Sequence, residues 1–268
     1  SFTIKYYMST LILLLAVAFG MKAQIVSSEP SPLQHNSENI VVYYYADQGN
    51  KGLINQPESQ PIYAHTGVIT TESANGADWK HAPEWKDNSE KYKLTYVSPN
   101  VWKLTIGTIK EYYNLNEGEE VVKLAFVFRN ATATKEGKTA EGADIFLDVH
   151  KEGFLVELSS DNDGTVISSG KTTINFTAAS TSAAKLSILV NGSEIASKDN
   201  VTTLTAAYTF SQRGNFTVTA KAVSGSETVV DEALYCFPDN SVAENYPGGV
   251  PKMGAVKNAD GTVTFCIA

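Results

Sequence analysis

The sequence predicts an all-β protein with two tandem β-sandwiches, preceded by a signal peptide and followed by the start of a third β domain. Short runs of β-branched and aromatic residues recur along the chain, separated by Gly, Asn, Pro and Asp. The 268 residues are 43% hydrophobic and 10% aromatic, which is sufficient for compact cores. The composition also changes near residue 150, after which tryptophan is absent.

The N-terminal residues 1–23 have the order of a secretory signal peptide. Lys5 precedes the apolar run 11–20, and the small residue Ala23 comes just before a polar stretch. The apolar run is shorter than the roughly 20 residues of a membrane-spanning helix, and no cysteine follows it for lipidation. We therefore expect export, with no transmembrane segment once residues 1–23 are removed.

Residues 24–39 are rich in Ser, Pro, Gln and Asn, which predicts a linker, with ordered structure beginning at Ile40. The pattern of short strands over residues 40–149 then predicts the first β-sandwich. Within its predicted strand 101–106, Trp102 shares a face with Leu104 and Ile106, so we expect Trp102 in the core.

Residues 153–237 are predicted to form an immunoglobulin-like sandwich. Apolar residues alternate regularly there, as in Ile174, Phe176 and Ala178, and separate strands are expected at 172–178 and 185–190. Asn191-Gly192 is typical of the tight turn of a β-hairpin.

Residues 238–268 are rich in Pro and Gly and end in one predicted strand, 262–267. A single strand cannot bury its face alone, so we expect a third β domain that is truncated at Ala268. Cys236 and Cys266 are the only cysteines, and each lies in an apolar run. This favours two buried, unpaired thiols, with a disulfide between them as the alternative.

The charge and the residue patterns disfavour several functions. A net charge of -8 and a pI near 5.1, without a basic run, disfavour nucleic acid and anionic membranes as partners, whereas a neutral ligand is compatible. The four histidines lack metal-ligand spacing, and no pattern selects a catalytic pair of carboxylates. We therefore expect no cofactor, no metal and no catalytic site in this chain.

Aromatic residues concentrate at Tyr63-Ala64-His65 and between Trp79 and Trp85. If Ile62 and Ala64 pack inward, strand alternation turns Tyr63 and His65 outward together. An exposed ring can pack on the C–H face of a sugar while polar neighbours bond its hydroxyls. The candidate ligand-binding residues are Tyr63, His65, Trp79, Lys80, Trp85 and Asn130, of which Trp85 is secondary. The alternative is that these rings only cover a core.

Four motifs together resemble the starch-binding modules of carbohydrate-binding families 25 and 26. They are Tyr63-x-His65, Trp79-x-x-Ala82-Pro83, the Trp102 strand, and Phe126-Val127-Phe128 before a polar loop. Over residues 40–149 the resemblance implies a β-sandwich that binds α-1,4-glucan, with Tyr63 and His65 paired on one strand and Trp79 facing them. The chain departs from these families in a longer loop, 66–78, and in a polar loop, 130–143, that lacks an aromatic residue.

The run from Tyr63–Val68 through Ala125–Arg129 to Asp144–Val149 resembles the N-terminal modules of exported α-amylase-type enzymes of Gram-negative glycan degraders. An immunoglobulin-like domain followed by Pro247-Gly-Gly-Val-Pro251 and Asp260-Gly-Thr-Val-Thr-Phe265 is similar to the approach to the β-sandwich that precedes the catalytic barrel of glycoside hydrolase family 13. This resemblance implies a catalytic domain attached beyond Ala268. It also implies a secreted, periplasmic or cell-surface location in a Gram-negative bacterium.

We therefore expect the non-catalytic, α-glucan-binding part of an exported glycoside hydrolase. One alternative is a stand-alone surface glycan-binding protein that feeds a transporter. Another is a structural or adhesive β-sandwich array without a sugar site, which predicts that Tyr63 and Trp79 are both buried.

Overall fold

The computed structural model describes residues 24–162, 165–167, 172–237, 254–257 and 263–266, so the predicted signal peptide lies outside the described residues. Within these ranges the chain forms fifteen β-strands, one four-residue helix and one short 3-10 helix, which confirms the all-β prediction. The chain divides into two compact units. The first comprises Gln24–Val156 with Ala179–Ser182, and the second takes the rest of the described chain.

One sheet of the first unit is antiparallel, with the order β1-β2-β5-β4. Its strands are β1 (Val26–Glu29), β2 (Ile40–Tyr45), β4 (Thr95–Ser98) and β5 (Val101–Gly107). Trp102 and Leu104 are each only 1% exposed and Ile106 is 6% exposed, so the predicted inward face of β5 is confirmed.

The predicted linker is wrong in one respect, because β1 is part of this sheet. Val26 pairs with Tyr44 and Glu29 with Val41, and Leu33 is buried beyond the end of the strand. Strand β1 is only four residues long and turns one apolar side chain, Val26, inward. So short a segment shows no periodicity, which is why composition alone suggested a linker.

The facing sheet of the first unit contains β3 (Ile62–Thr70), β6 (Val121–Asn130), β7 (Glu136–Gly137) and β8 (Ile145–Asp148). Strand β6 pairs with β3 on one side and with β7 and β8 on the other. The predicted loop at Thr66 begins later than expected, because β3 continues to Thr70. Val68 and Ile69, both β-branched and buried, extend the strand.

The core of the first unit lies between these two sheets and is rich in aromatic rings. Tyr44 of one sheet stacks on Phe128 of the other at 4.0 Å, and Phe126 stacks on Phe128 at 5.5 Å. The short helix α1 (Ile109–Tyr112) adds to this core, and the Thr108 side chain caps it by accepting a hydrogen bond from the Glu111 backbone N–H. Tight packing of this kind gives the outer faces of the sheets a rigid base.

The second unit contains a five-stranded sheet with the order β11-β10-β12-β13, in which β9 also pairs with β10. Its strands are β9 (Val156–Ser160), β10 (Thr173–Val190), β11 (Ser193–Thr209), β12 (Gly214–Ser224) and β13 (Glu227–Phe237). The strands predicted at 172–178 and 185–190 are two parts of β10. The predicted hairpin turn is confirmed: Asn191 and Gly192 adopt φ of 48° and 78° between β10 and β11.

Near the C-terminus, β14 (Gly254–Lys257) and β15 (Val263–Cys266) form an antiparallel pair. The expectation of a lone final strand is therefore wrong. Cys236 is 1% exposed, while the Cys266 side chain lies outside what the structure describes, so unpaired thiols stay a prediction. No helix in the described ranges has the length and apolarity to cross a membrane.

Candidate functional site

The candidate site lies on the outer face of the β3-β6-β8 sheet. Ile62 and Ala64 are buried toward the core, as predicted, so Tyr63, His65 and Gly67 belong to the opposite face. Their partners on β6 are Arg129, Val127 and Ala125, and Phe146 of β8 pairs with Ala125.

The cover loop, residues 71–93, returns along the free edge of β3. Val68 and Lys80 exchange two backbone hydrogen bonds, of 3.0 and 2.8 Å, and Leu94 N–H donates to the Ile62 carbonyl. The Nε2 atom of His81 lies 2.8 Å from a carboxylate oxygen of Glu119. These contacts fix both ends of the loop against the sheet.

Gly67 allows this close approach. A Cβ added there would lie 2.9 Å from the Lys80 carbonyl oxygen and 3.3 Å from Trp79 Cβ, closer than ordinary van der Waals contact. A glycine on the outer face of β3 therefore lets the cover loop bring Trp79 down onto the strand, despite the added loop length.

Four rings form what we call the aromatic cluster: His65, Trp79, Trp85 and Phe146. His65 stacks with Trp79 at a centroid distance of 5.5 Å and an interplanar angle of 25°. Trp85 meets His65 edge-on at 5.0 Å and 74°, and Phe146 meets Trp79 edge-on at 6.5 Å and 72°. All four are at least partly exposed, Phe146 by 37%. The structure thus brings three of the predicted site residues together.

Tyr63 is a correction to the predicted site. It is only 7% exposed, because the cover loop and Arg129 lie over it. The Arg129 guanidinium carbon is 5.4 Å from the Tyr63 ring centroid and 5.9 Å from that of Trp85. Tyr63 therefore supports the cluster from below and does not present a face to a ligand.

The side chains of Lys80 and Asn130 both form hydrogen bonds within the protein. Lys80 Nζ donates to both carboxylate oxygens of Asp78, at 3.0 and 2.9 Å. Asn130 Nδ2 donates to Thr134 Oγ1, and its Oδ1 accepts from the backbone N–H groups of Thr134 and Lys135. Asn130 thus closes the loop after β6, and its role as a ligand donor stays a prediction.

The surroundings of His65 favour the uncharged form of its imidazole ring. Burial lowers the pKa of His65 below its ordinary value of 6.5, and the nearby Arg129 charge lowers it further. The Nδ1 atom of His65 is buried, with no hydrogen-bond partner in the described part of the chain. A neutral ring set among three other rings presents a mostly apolar surface, suited to the C–H face of a neutral ligand.

Sequence reasoning missed Phe146 and Arg129. Alternation in β8, with Ile145 3% exposed and Phe146 37% exposed, is the signal that could have found Phe146. No comparable signal marks Arg129, because its burial depends on the cover loop folding back over the sheet.

Concave features occur elsewhere on the first unit. A surface depression of 590 Å³ is lined by Lys91, Tyr96, Trp102 and Tyr112 among others, and includes no residue of the aromatic cluster. The rings of the aromatic cluster are at least partly exposed, which is compatible with a polymer ligand. Among the described residues, no group of three or more His, Cys, Asp or Glu could hold a metal ion.

No protein-family model and no curated protein matches the chain. Among solved structures it is similar to the fibronectin(III)-like modules of CbhA from Clostridium thermocellum, with 12% identity and a TM-score of 0.26, over 81% of this chain and 96% of that one. A structure concerning Dscam isoform specificity shares 9% identity with a TM-score of 0.23, over 66% of this chain and 38% of that one. Both TM-scores are low, so neither likeness carries an argument about function.

Proposed function

We propose that the first unit binds an α-glucan of the starch type through the aromatic cluster. The observation that carries this proposal is the set of four partly exposed rings His65, Trp79, Trp85 and Phe146 on one sheet face. The motif resemblance to starch-binding modules over residues 40–149 gives the ligand class. The chain would then be the non-catalytic part of an exported α-amylase-type glycoside hydrolase.

The angles between the rings favour a curved polysaccharide. Trp85 and Phe146 stand at 74° and 72° to their neighbours, so the four faces do not share a plane. A flat β-1,4-linked chain is best matched by coplanar rings, whereas an α-1,4-linked chain turns and can contact rings at several inclinations. The cluster geometry is thus better suited to an α-glucan than to cellulose.

Binding of this kind raises the local concentration of a tethered partner. A catalytic domain in the same polypeptide would be held near its polymer substrate without any new contact in its active site. The net charge of -8 is compatible with this role, because a neutral polysaccharide requires no charge complementarity.

The test is affinity electrophoresis of the full chain in a gel that contains amylopectin. We expect the wild-type chain to be retarded, and Trp79→Ala to weaken binding by about 30-fold, because truncating an anchoring aromatic costs about 2 kcal/mol. Tyr43→Ala is the matched control, since Tyr43 is a partly exposed ring on the opposite sheet. Equal retardation of wild type and Trp79→Ala would remove the basis of the proposal.

A structural or adhesive array is the second candidate, and one observation favours it. It predicts that Tyr63 and Trp79 are both buried, and Tyr63 is. Trp79 is only partly buried and sits on the surface of the cluster, which favours the binding function. A stand-alone surface glycan-binding protein would share the same cluster, and the coding sequence downstream of Ala268 separates it from an enzyme.

A further inference from the structure

Arg129 is the most deeply buried charged side chain near the aromatic cluster. It lies on β6 opposite Tyr63 and is only 1% exposed. Its hydrogen-bond acceptors are neutral oxygens: Asn88 Oδ1 at 2.7 Å, the Asp87 carbonyl at 2.7 Å and the Asn130 carbonyl at 3.2 Å. Its Nε is buried, with no partner in the described part of the chain.

If the role of Arg129 were only structural, burying its guanidinium in this way would be energetically unfavourable. A buried guanidinium is ordinarily hydrogen-bonded to a carboxylate, whereas the Asp87 side chain only attracts Arg129 through space, and a buried N–H without an acceptor is unfavourable. Two of the three contacts of the Arg129 fork reach Asp87 and Asn88 in the cover loop, and the cation also lies near the Tyr63 and Trp85 rings. The side chain therefore connects the sheet to the part of the loop that carries Trp85.

Asn88 forms hydrogen bonds both to Arg129 on β6 and to the loop that follows β6. Its Oδ1 accepts from Arg129 Nη1, while its Nδ2 donates to the Ala131 carbonyl at 3.0 Å. Asn88 itself is exposed. It lies three residues after Trp85, so its two hydrogen bonds limit how far Trp85 can move from His65.

We propose that Asn88 and Arg129 form a positioning clamp that holds Trp85 against His65 and thereby sets the affinity of the aromatic cluster for glucan. The affinity part rests on the proposed function. The positioning part concerns Trp85 alone and holds with or without a ligand. In this proposal both residues act through the position of Trp85.

The sharpest test is Asn88→Ala in the full chain, because Asn88 is exposed and its loss spares the core. Removing the acceptor of a buried charged donor is expected to weaken amylopectin binding by about 10-fold. The ¹H–¹⁵N indole signal of Trp85 is expected to shift or broaden without ligand. The buried Trp102 indole is the internal control and should not change. Asn88→Asp keeps an oxygen acceptor for Arg129 but loses the donor to the Ala131 carbonyl, so it should restore only part of both readouts.

The remaining outcomes test either the positioning of Trp85 or the affinity for glucan. Unchanged affinity and an unchanged Trp85 signal in Asn88→Ala would overturn the clamp, as would equal changes at Trp85 and Trp102, which indicate general destabilisation. If the wild-type chain does not bind amylopectin, the proposed function fails, and the Trp85 signal still decides the positioning part. Arg129→Lys keeps the charge but loses the fork, and should reproduce the Asn88→Ala change at Trp85.

Discussion

His65 is the residue on which the chemistry of the aromatic cluster depends most. Its ring contacts both Trp79 and Trp85, so a change in its charge would alter the electrostatic environment of both indoles. Burial and the Arg129 charge both disfavour the imidazolium, which lowers the pKa of His65. The cluster is consequently in its apolar state at neutral pH.

Glucan binding should therefore depend on pH through His65. Because the folded pKa lies below the unfolded value of 6.5, the stability given by neutral His65 is present above pH 6.5 and is lost as the pH falls through the folded pKa. We expect constant affinity above pH 6.5 and weaker binding as the pH falls through the lowered folded pKa of His65. Affinity electrophoresis across this range measures it.

Replacement of His65 by phenylalanine keeps a flat ring and removes the titration, so it is the matched variant. The acid-side loss of affinity should disappear in His65→Phe. An NMR titration that gave His65 a pKa at or above its ordinary value would contradict the account.

At the scale of the element, strand β3 and the cover loop act together, and Gly67 is the contact between them. In Gly67→Ala the new methyl group would press on the backbone of Lys80, which cannot rotate away as a flexible side chain would. We expect a loss of about 1–3 kcal/mol in unfolding free energy and weaker glucan binding. Denaturant unfolding and affinity electrophoresis measure the two effects.

Gly76→Ala provides the control for this substitution, because a Cβ there meets only Phe146 Cζ at 3.7 Å. It should leave both stability and binding close to those of the wild type. Equal behaviour of the two alanine variants would show that the cover loop does not need the close approach at Gly67.

The strands could be predicted where their alternation was long enough to be recognised. Trp102 was placed in the core from its parity with Leu104 and Ile106, and the Asn191-Gly192 turn from its residue types. The four-residue strand β1 was missed because it is stabilised by pairing with β2, which is a tertiary effect that local sequence does not show.

The candidate site was predictable only in part, and for a related reason. Parity correctly assigned Tyr63 to the outer face of β3, but an outer face is exposed only where nothing covers it. Arg129 and the cover loop bury Tyr63, and the pairing of β8 with β6 brings Phe146 beside Trp79. Both effects join residues far apart in sequence, so the list of strands could not reveal them.

At the scale of the whole molecule, the two units carry different kinds of residue. Every ring of the aromatic cluster belongs to the first unit, whereas the second is built from Thr-, Ser- and Val-rich strands without tryptophan. We therefore place the proposed glucan site in the first unit. The second unit contributes no residue to the proposed glucan site.

The most direct test of the central claim is a calorimetric titration of the full chain with maltoheptaose and, separately, with cellohexaose. We expect measurable binding of the α-1,4-linked oligosaccharide, its loss in Trp79→Ala, and no binding of the flat β-1,4-linked chain. Absence of maltoheptaose binding, or equal binding of both oligosaccharides, would contradict it.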